Sequence, residues 1–499
     1  MRYSNNDERI ALIDIGSNSI RLVMYDSYGR YPYPLFDERV TAKLGRGIDE
    51  SGQLNMSRIK SALQALSRFA LLLEPLKAEH VVIMATAAVR RARNAEQFLE
   101  PATKILNHDI QVISSREEAE LMVQGLTSHM PHITGLIVDL GGGSTEIAYV
   151  EHGEIIHATS IPIGHLSNIS EKMVRQYLTE ISWLKDLNVA SLYGIGGSFR
   201  AIGNVFLSET NYPVQLLHRL QIPSRKTNRI LKKLMKGEPL TGVPYGRLGT
   251  IPMASTIMHA LFGHSSCSEL IISGTSIRDG MLAKIQQNIK TEKDILITVC
   301  KELSRHTQRF VGEGKALYKL LHKTTWQTSK QLLSESEIVN SKRLLKAVCL
   351  LSNICWREPQ ENRGRIAFER ILALPVYGLS HKERVWMGKV LFHRYNGVKK
   401  NLRSITSAET LLTKEEKKHA LTTGLGLRFA AIFCAGNIAF LEGASLTIKK
   451  HHLIFAIEAQ HKDLLDFHSA RRLETFGNAL GLKPKVIFHN PKPSAAMPS

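Results

Sequence analysis

The stretch IALIDIGSNSIRLVMYDSYGR, residues Ile10–Arg30, decides the fold because its pattern recurs as LIVDLGGGSTEIAYVEHGE, residues Leu136–Glu154. Each copy is an apolar strand ending in Asp, followed by x-Gly, small polar residues and an alternating strand. Asp14 aligns with Asp139, Gly16 with Gly141 and Ser19 with Ser144. The period of two in IRLVMYD and IAYVE predicts half-buried hairpin strands. Glycine lets the backbone reach positive φ and removes the Cβ, so an anion can approach the main chain. Successive N–H groups then form an anion-binding nest. Ser17, Asn18, Ser19, Ser144 and Thr145 add side-chain donors around Gly16, Gly141, Gly142 and Gly143. Asp14 and Asp139, at the strand ends, suit Mg²⁺ held through water, since Mg²⁺ gives up its hydration reluctantly. One such turn is a common hairpin device; two matched copies of D-x-G-x-x-S/T point to an internal duplication.

Outward from the repeats, strands and helices alternate. In the first half a helix over Ser57–Leu76 precedes the strand Val81–Thr86. The helix AVRRARNAEQFLEPATKIL, the strand IQVIS and the helix REEAELMVQGL follow. In the second half a helix over 170–185 precedes LYGIG, which runs into Gly196–Ser198 and later ELIISGTSIRDGML. Such alternation predicts mostly parallel sheets. A duplicated domain with an inter-domain cleft is the actin-like plan.

The 499 residues exceed one ordinary core, so several domains are expected. The boundaries read as 1–132, 133–304, 305–440 and 441–499. The N-terminus has no apolar leader, and the longest apolar run, Phe429–Leu441, is too short to span a bilayer. Five cysteines without a CxxC argue against a disulfide framework or a zinc site and fit a reducing cytoplasm. Net charge is +20. Residues 301–499 hold 33 Lys and Arg against 16 Asp and Glu, whereas residues 1–300 hold 32 against 29. A basic excess of this kind attracts polyanions, or serves only as a solvated surface.

DIGSNSIRL, ATAAVRRARN, VISSREEAEL, VDLGGGSTE, GIGGS and SGTSIRDG occur in an order that resembles the exopolyphosphatase and guanosine pentaphosphate phosphatase family, a branch of the sugar kinase, actin and heat-shock chaperone superfamily. The resemblance covers residues 10–285. It implies an α/β fold of duplicated actin-like (ribonuclease H-like) domains plus an all-α C-terminal domain. It implies hydrolysis of a terminal phosphate by direct attack of water, with Mg²⁺ and a monovalent cation such as K⁺ as cofactors. Glu118 is then the base that activates water, Arg90 a ligand of the terminal phosphate, and Glu146 a metal or water ligand beside Asp14 and Asp139. Gly196, Gly197 and Ser198 form a third phosphate-facing turn, and Arg278 belongs to the late arginine motif. Glu118 also has a local reason to exist, because Ser115 and Glu118 have the spacing of a helix capping box.

Family members of this length carry a C-terminal domain related to His-Asp metal phosphohydrolases. Ser352 and Asn353 stand where the His-Asp pair belongs, so a degenerate domain without a metal site is expected, with His381 and His393 on helix surfaces. Lys342, Arg343, Arg363, Arg365, Lys399 and Lys400 are candidates for a channel that feeds a long phosphate chain to Glu118. LTIKKHHLIFAIEA reads as a hairpin, and the tail beyond Asn490 as disordered. The partners implied are inorganic polyphosphate, guanosine pentaphosphate or both. A homodimer through the C-terminal domains is implied, with no membrane and no specific nucleic acid. Exopolyphosphatase is the first reading and the pentaphosphate phosphatase the second. An actin-like ATPase and a non-enzymatic polyanion-binding protein come after them.

Overall fold

The glycine turns fall where the repeat requires, each joining the first two strands of a sheet. The computed structural model describes residues 9–26, 32–185, 187–286, 294–307, 312–376, 378–398 and 403–490. It divides into two compact units, Met1–Thr291 and Glu292–Ser499.

The first unit holds two lobes. In lobe one, β1 (Ile10–Ile15), β2 (Ile20–Tyr25), β3 (Pro34–Val40), β4 (His80–Ala85) and β5 (Ile110–Val112) form a sheet of order β3-β2-β1-β4-β5. Its helices are α1 (Ile48–Ser51), α2 (Met56–Leu76), α3 (Ala87–Arg91), α4 (Glu96–Leu106) and α5 (Ser115–Thr127). In lobe two, β6 (Gly135–Leu140), β7 (Thr145–Glu151), β8 (Glu154–Ile161), β9 (Ser191–Ile195), β10 (Leu220–Pro223) and β11 (Glu269–Ile272) form the order β10-β11-β9-β6-β7-β8. Its helices are α6 (Glu171–Thr179), α7 (Ser182–Lys185), α8 (Gly197–Thr210), α9 (Ser224–Met235), α10 (Ile251–His264) and α11 (Ile277–Ile285). Apart from the extra β10 the two orders match, with β1 and β6 each flanked by an antiparallel and a parallel neighbour.

The sheets are therefore mixed rather than mostly parallel, because the strand after each glycine turn returns antiparallel. β2 and β7 are buried on both faces instead of one, since helices cover both sides of each sheet. The expected helix over residues 88–106 breaks into α3 and α4.

One crossing was not visible in the sequence. Met122, Val123 and Leu126 of α5 pack with Ile137, Ala148 and Val150 of the lobe-two sheet. Ile277 and Met281 of α11 pack with Ile10, Leu12 and Met84 of the lobe-one sheet. Each lobe's last helix thus covers the other's sheet. The two helices meet where a Cβ on Gly280 would lie 1.9 Å from the Leu121 carbonyl oxygen, and one on Gly125 would lie 2.7 Å from that of Ser276. A division at residue 132 does not separate two independent cores.

The second unit comprises α12 (Ile295–Thr307), α13 (Glu313–Leu332), α14 (Glu335–Leu350), α15 (Arg363–Leu372), α16 (His381–Asn396), α17 (Arg403–Ala408) and α18 (Lys414–Phe433). The strands β12 (Ser445–Lys449) and β13 (His452–Glu458), the helix α19 (Phe467–Leu480) and the strand β14 (Lys483–His489) complete it. The unit begins before the expected break at 304, because α12 runs across that position. The expected break at 440 is bridged by packing: Phe455 of β13 stands edge-on to Phe429 and Phe433 of α18. The hairpin β12–β13 is present, and β14 adds to it in parallel. The expected disordered tail lies outside the described residues.

His381 and His393 are buried, not on the surface. His393 Nδ1 lies 2.7 Å from the Gly397 carbonyl oxygen, and burial pushes its pKa down to about 4. Asn353 donates to buried Glu313 at 2.6 Å. The candidate channel cations make local contacts. Arg343 pairs with Asp294 at 2.8 Å, Arg365 with Glu369 at 2.8 Å, and Lys342 lies 4.0 Å from the centre of the Trp326 ring. Arg363 donates to the Glu358 carbonyl and covers Trp356. Lys399 and Lys400 lie outside the described residues.

Candidate active site

Both glycine turns are built the same way. Gly16 N–H donates to the Ser19 carbonyl at 3.1 Å, and Gly141 N–H to that of Ser144 at 3.0 Å. A second segment then ties up each loop's carbonyls. Lys43 and Gly45 N–H donate to the carbonyls of Asn18 and Ser17, while His165 and Leu166 N–H donate to those of Gly141 and Gly142. Among the described residues no acceptor takes the N–H groups of Ser17, Asn18, Gly142 or Gly143. Free N–H groups beside occupied carbonyls make an anion nest. The loops abut, since a Cβ on Gly142 would lie 3.0 Å from Ser17 Cβ. Arg91 of lobe one bonds both Asp49 and the Gly143 carbonyl of lobe two, bridging the lobes.

Between the loops lies a cavity of about 160 Å³. Of the sequence candidates, Asp14, Gly16, Ser17, Asn18, Ser19, Glu118, Asp139, Gly141, Gly142, Ser144, Gly196 and Gly197 line it. The N-terminus of α8 opens on it, which favours an anion. Gly196 sits there at φ 94°, and a Cβ on it would lie 2.8 Å from Asp139 Oδ1.

Five sequence candidates stand behind the wall. Thr145 is buried and donates to the Ile163 carbonyl at 2.7 Å, so it secures the loop and is not a donor to the cavity. Ser198 accepts from Arg247 at 3.0 Å. Gly143 accepts from Arg91. Glu146 is buried and accepts from Ser160 at 3.0 Å. Arg90 donates at 2.9 Å to both Glu118 Oε2 and the Ile113 carbonyl, which makes it a clamp on the glutamate.

The capping expectation for Glu118 is corrected by one residue. The cap of α5 is Ser114, and its capping-box partner is Glu117. Ser114 holds the Glu117 carboxyl below its usual range. Glu118 is therefore free of the cap and points into the cleft. Burial, opposed by Arg90, pushes its pKa up to about 7. Burial also raises Asp139 to about 6, against the pull of Arg200, and raises Glu146 strongly, with Glu118 and Asp139 adding to the effect.

Five arginines line the same cavity: Arg21, Arg39, Arg200, Arg247 and Arg278. Of these only Arg278 was singled out from the sequence, although Arg21 lies within DIGSNSIRL; Arg278 bonds Asp14 at 2.8 Å. Arg21 stands opposite Asp14 in the β1–β2 register, as Glu146 stands opposite Asp139. Pairing Arg21 with Glu146 within the aligned repeats would have marked it. Arg39 follows opposite Arg21 on β3. Arg200 and Arg247 come from α8 and a 3₁₀ turn over Tyr245–Arg247, where no local pattern marks them. Burial lowers Arg39 and Arg200, and burial with Arg39 and Arg200 lowers Arg247 to about 10. A polyanion entering the cavity relieves that crowding.

Among the described residues no group of three or more His, Cys, Asp or Glu is arranged to hold a metal directly. Mg²⁺ needs only one or two carboxylates, with water and phosphate oxygens completing its shell. Asp14 and Asp139 line the cavity, and Asp14 raises the Asp139 pKa further, a crowding that a dication offsets. That donor set suits water-mediated Mg²⁺.

Residues 23–289 match the Ppx/GppA phosphatase family, and residues 296–487 match the exopolyphosphatase C-terminal family. The chain is similar to a guanosine-5'-triphosphate,3'-diphosphate pyrophosphatase of Vibrio vulnificus, 26% identical over 92% of this chain and 94% of the relative. It is also similar to a protein of the same name from Aeromonas hydrophila, 25% identical over 56% of this chain and 59% of the relative. Among solved structures, an exopolyphosphatase from Cytophaga hutchinsonii superposes with a TM-score of 0.52 at 24% identity. That match covers 56% of this chain and 99% of that one, and it supports the fold alone.

Proposed function

Because the chain belongs to the Ppx/GppA phosphatase family, we propose that its cleft hydrolyses the terminal phosphoanhydride of inorganic polyphosphate, with Glu118 as general base. The observation that carries this reading is a largely enclosed glutamate, free of its helix cap, beside an arginine-lined cavity. A base works best with a pKa near the operating pH, and Glu118 lies there. Glu118 takes a proton from water, the water oxygen bonds to the terminal phosphorus in line, and the bond to the bridging oxygen breaks. Orthophosphate and a chain one unit shorter result. The nests and arginines hold the phosphate and offset charge that develops on its oxygens. Mg²⁺, held by Asp14 and Asp139 with Glu146 behind them, supplies charge neutralisation of the phosphates when bound; a monovalent cation such as K⁺ is a second candidate.

The second reading is hydrolysis of guanosine pentaphosphate, favoured by the names of the curated relatives. The cavity supports the inorganic chain, because among the described residues no Phe, Tyr or Trp lines it to stack on a base. We also read the second unit as a His-Asp phosphohydrolase fold without its metal centre, and the protein as a cytoplasmic homodimer through that unit, which light scattering tests. Phosphate release from long polyphosphate, tripolyphosphate, guanosine pentaphosphate and ATP, measured side by side, ranks the substrates. Preference for the pentaphosphate selects the second reading, and preference for ATP overturns both.

A further inference from the structure

We infer that the outer face of α9 is a docking groove for inorganic polyphosphate, which keeps a long chain beside the enzyme while its end is consumed; this rests on the reading that the cleft hydrolyses that chain. The sequence SRKTNRILKKLMK, Ser224–Lys236, carries six cations and no acid. Helical spacing sorts it into two faces. Ile230, Leu231 and Leu234 are buried in the core of lobe two. Arg225, Arg229, Lys232 and Lys236, at steps of four, three and four residues, form an exposed stripe. The stripe spans about 16 Å at a rise of about 1.5 Å per residue. Together with Lys233 and Glu238 it lines a shallow groove of about 500 Å³.

Local electrostatics works against this arrangement. Like charges three and four residues apart repel along a helix. The first turn holds Arg225 and Lys226 and no acid, where the helix dipole favours an anion, and no side chain caps it. Of the six cations only Lys233 finds a carboxylate among the described residues, Glu209 at 2.9 Å, and Lys226 lies 5.4 Å from the centre of the Phe206 ring. Arg225, Arg229, Lys232 and Lys236 make no ion pair among the described residues, whereas Arg343 and Arg365 of the second unit do. A row of cations left without partners fits a ligand with a charge on every unit. Inorganic polyphosphate is such a chain and needs only cations along a line. Single-stranded nucleic acid also needs flat side chains for its bases, and no Phe, Tyr, Trp or His lines the groove. The groove is separate from the cavity. Glu209, bonded to Lys233, lies in the last turn of α8, about 18 Å along that helix from Gly197 in the cavity wall. A long chain held in the groove has a raised effective concentration at the cleft. Tripolyphosphate is too short to reach across that distance.

The test uses the full-length protein and removes three charges together, Arg229→Gln, Lys232→Gln and Lys236→Gln. Gln retains helix propensity, and the buried face is untouched. KM for long polyphosphate should rise roughly tenfold, as loss of three exposed charge contacts implies, while kcat and the kinetics with tripolyphosphate stay the same. Fluorescently labelled long polyphosphate should bind the Glu118→Gln form, which leaves the chain intact, and removing the three charges should weaken that binding by the same factor. The slope of log K against log salt should flatten by about 2. In the wild-type protein, long polyphosphate should protect Lys232 and Lys236 from acetylation by acetic anhydride, and tripolyphosphate should not. Unprotected lysines, an unchanged long-chain KM in the triple variant, an equal rise for tripolyphosphate, or stronger protection by single-stranded RNA of equal length overturns the proposal. The protection of the wild-type lysines decides the matter even if the variant does not fold. Failure to release phosphate from any polyphosphate, with protection and the binding loss intact, would instead overturn the reading of the cleft and leave the groove standing.

Discussion

Replacing Glu118 with Gln removes one charge and leaves the shape. Gln keeps an acceptor for Arg90 but takes no proton from water. General-base catalysis contributes about 10²–10⁴-fold, so the rate of phosphate release should fall by that factor while substrate binding persists. The same substitution should stabilise the protein at high pH. The folded pKa of about 7 lies above the 4.5 of a solvated glutamate. The native state therefore binds more protons than the unfolded state between those values, and stability falls as pH rises through that window. At 1.36 kcal/mol per unit the cost of the ionised carboxylate is on the order of 3 kcal/mol above pH 7, and it vanishes below the unfolded pKa. This figure already contains the Arg90 attraction. Glu118→Gln should then melt several degrees higher than wild type at pH 8 and nearly together with it at pH 4.5. Thermal melts at the two pH values, beside phosphate release from polyphosphate, check both halves. A variant with nearly wild-type turnover would refute the base assignment, and a melting temperature that drops at pH 8 would refute the burial argument.

Arg90→Gln removes a group that lowers the Glu118 pKa, so the acid limb of the pH–rate profile should move to higher pH; an unmoved limb would leave Arg90 without its clamping role. Ser114→Ala should cost about 1 kcal/mol in denaturant unfolding, as loss of an N-cap does, whereas Ser115→Ala should cost far less; equal costs would put the cap elsewhere. Arg247→Ala should raise KM about 10- to 100-fold, as loss of a hydrogen bond to a charged group implies, with a weaker salt dependence of KM; an unchanged KM would remove Arg247 from the binding set.

The duplicated turns were legible because their chemistry is local. Glycine and hydroxyl residues over four positions specify a nest whatever surrounds them. Arg21 and Arg39 escaped because strand register brings them to the site, and register is a tertiary property. Arg247 escaped because a loop of ordinary composition carries it there. The cap of α5 was misread by one residue, since SSREE offers two serines with a glutamate three positions on, and only backbone angles choose between them. That choice matters chemically, because it frees Glu118 from a structural duty. His381 and His393 lie inside rather than on the surface because α16 is buried nearly all round, which a polar sequence with Arg384 and Lys389 does not announce. Arg384 is accommodated by donating to the carbonyls of Leu372, Leu374 and Val376.

The exchange of α5 and α11 between the lobes has a consequence for how the first unit assembles. A chain cut between residues 132 and 133 yields two pieces, each keeping its own sheet but lacking the helix that covers one apolar face. Neither piece is a finished product, and each holds the other's missing part. Mixed together, the fragments should recover folded structure that neither reaches alone, and the intact unit should melt in a single transition. Translation of the first repeat leaves Ile10, Leu12 and Met84 only partly covered, by Ile113 and Leu121, until Ile277 and Met281 leave the ribosome, so the order of synthesis postpones completion of the first sheet to the end of the second.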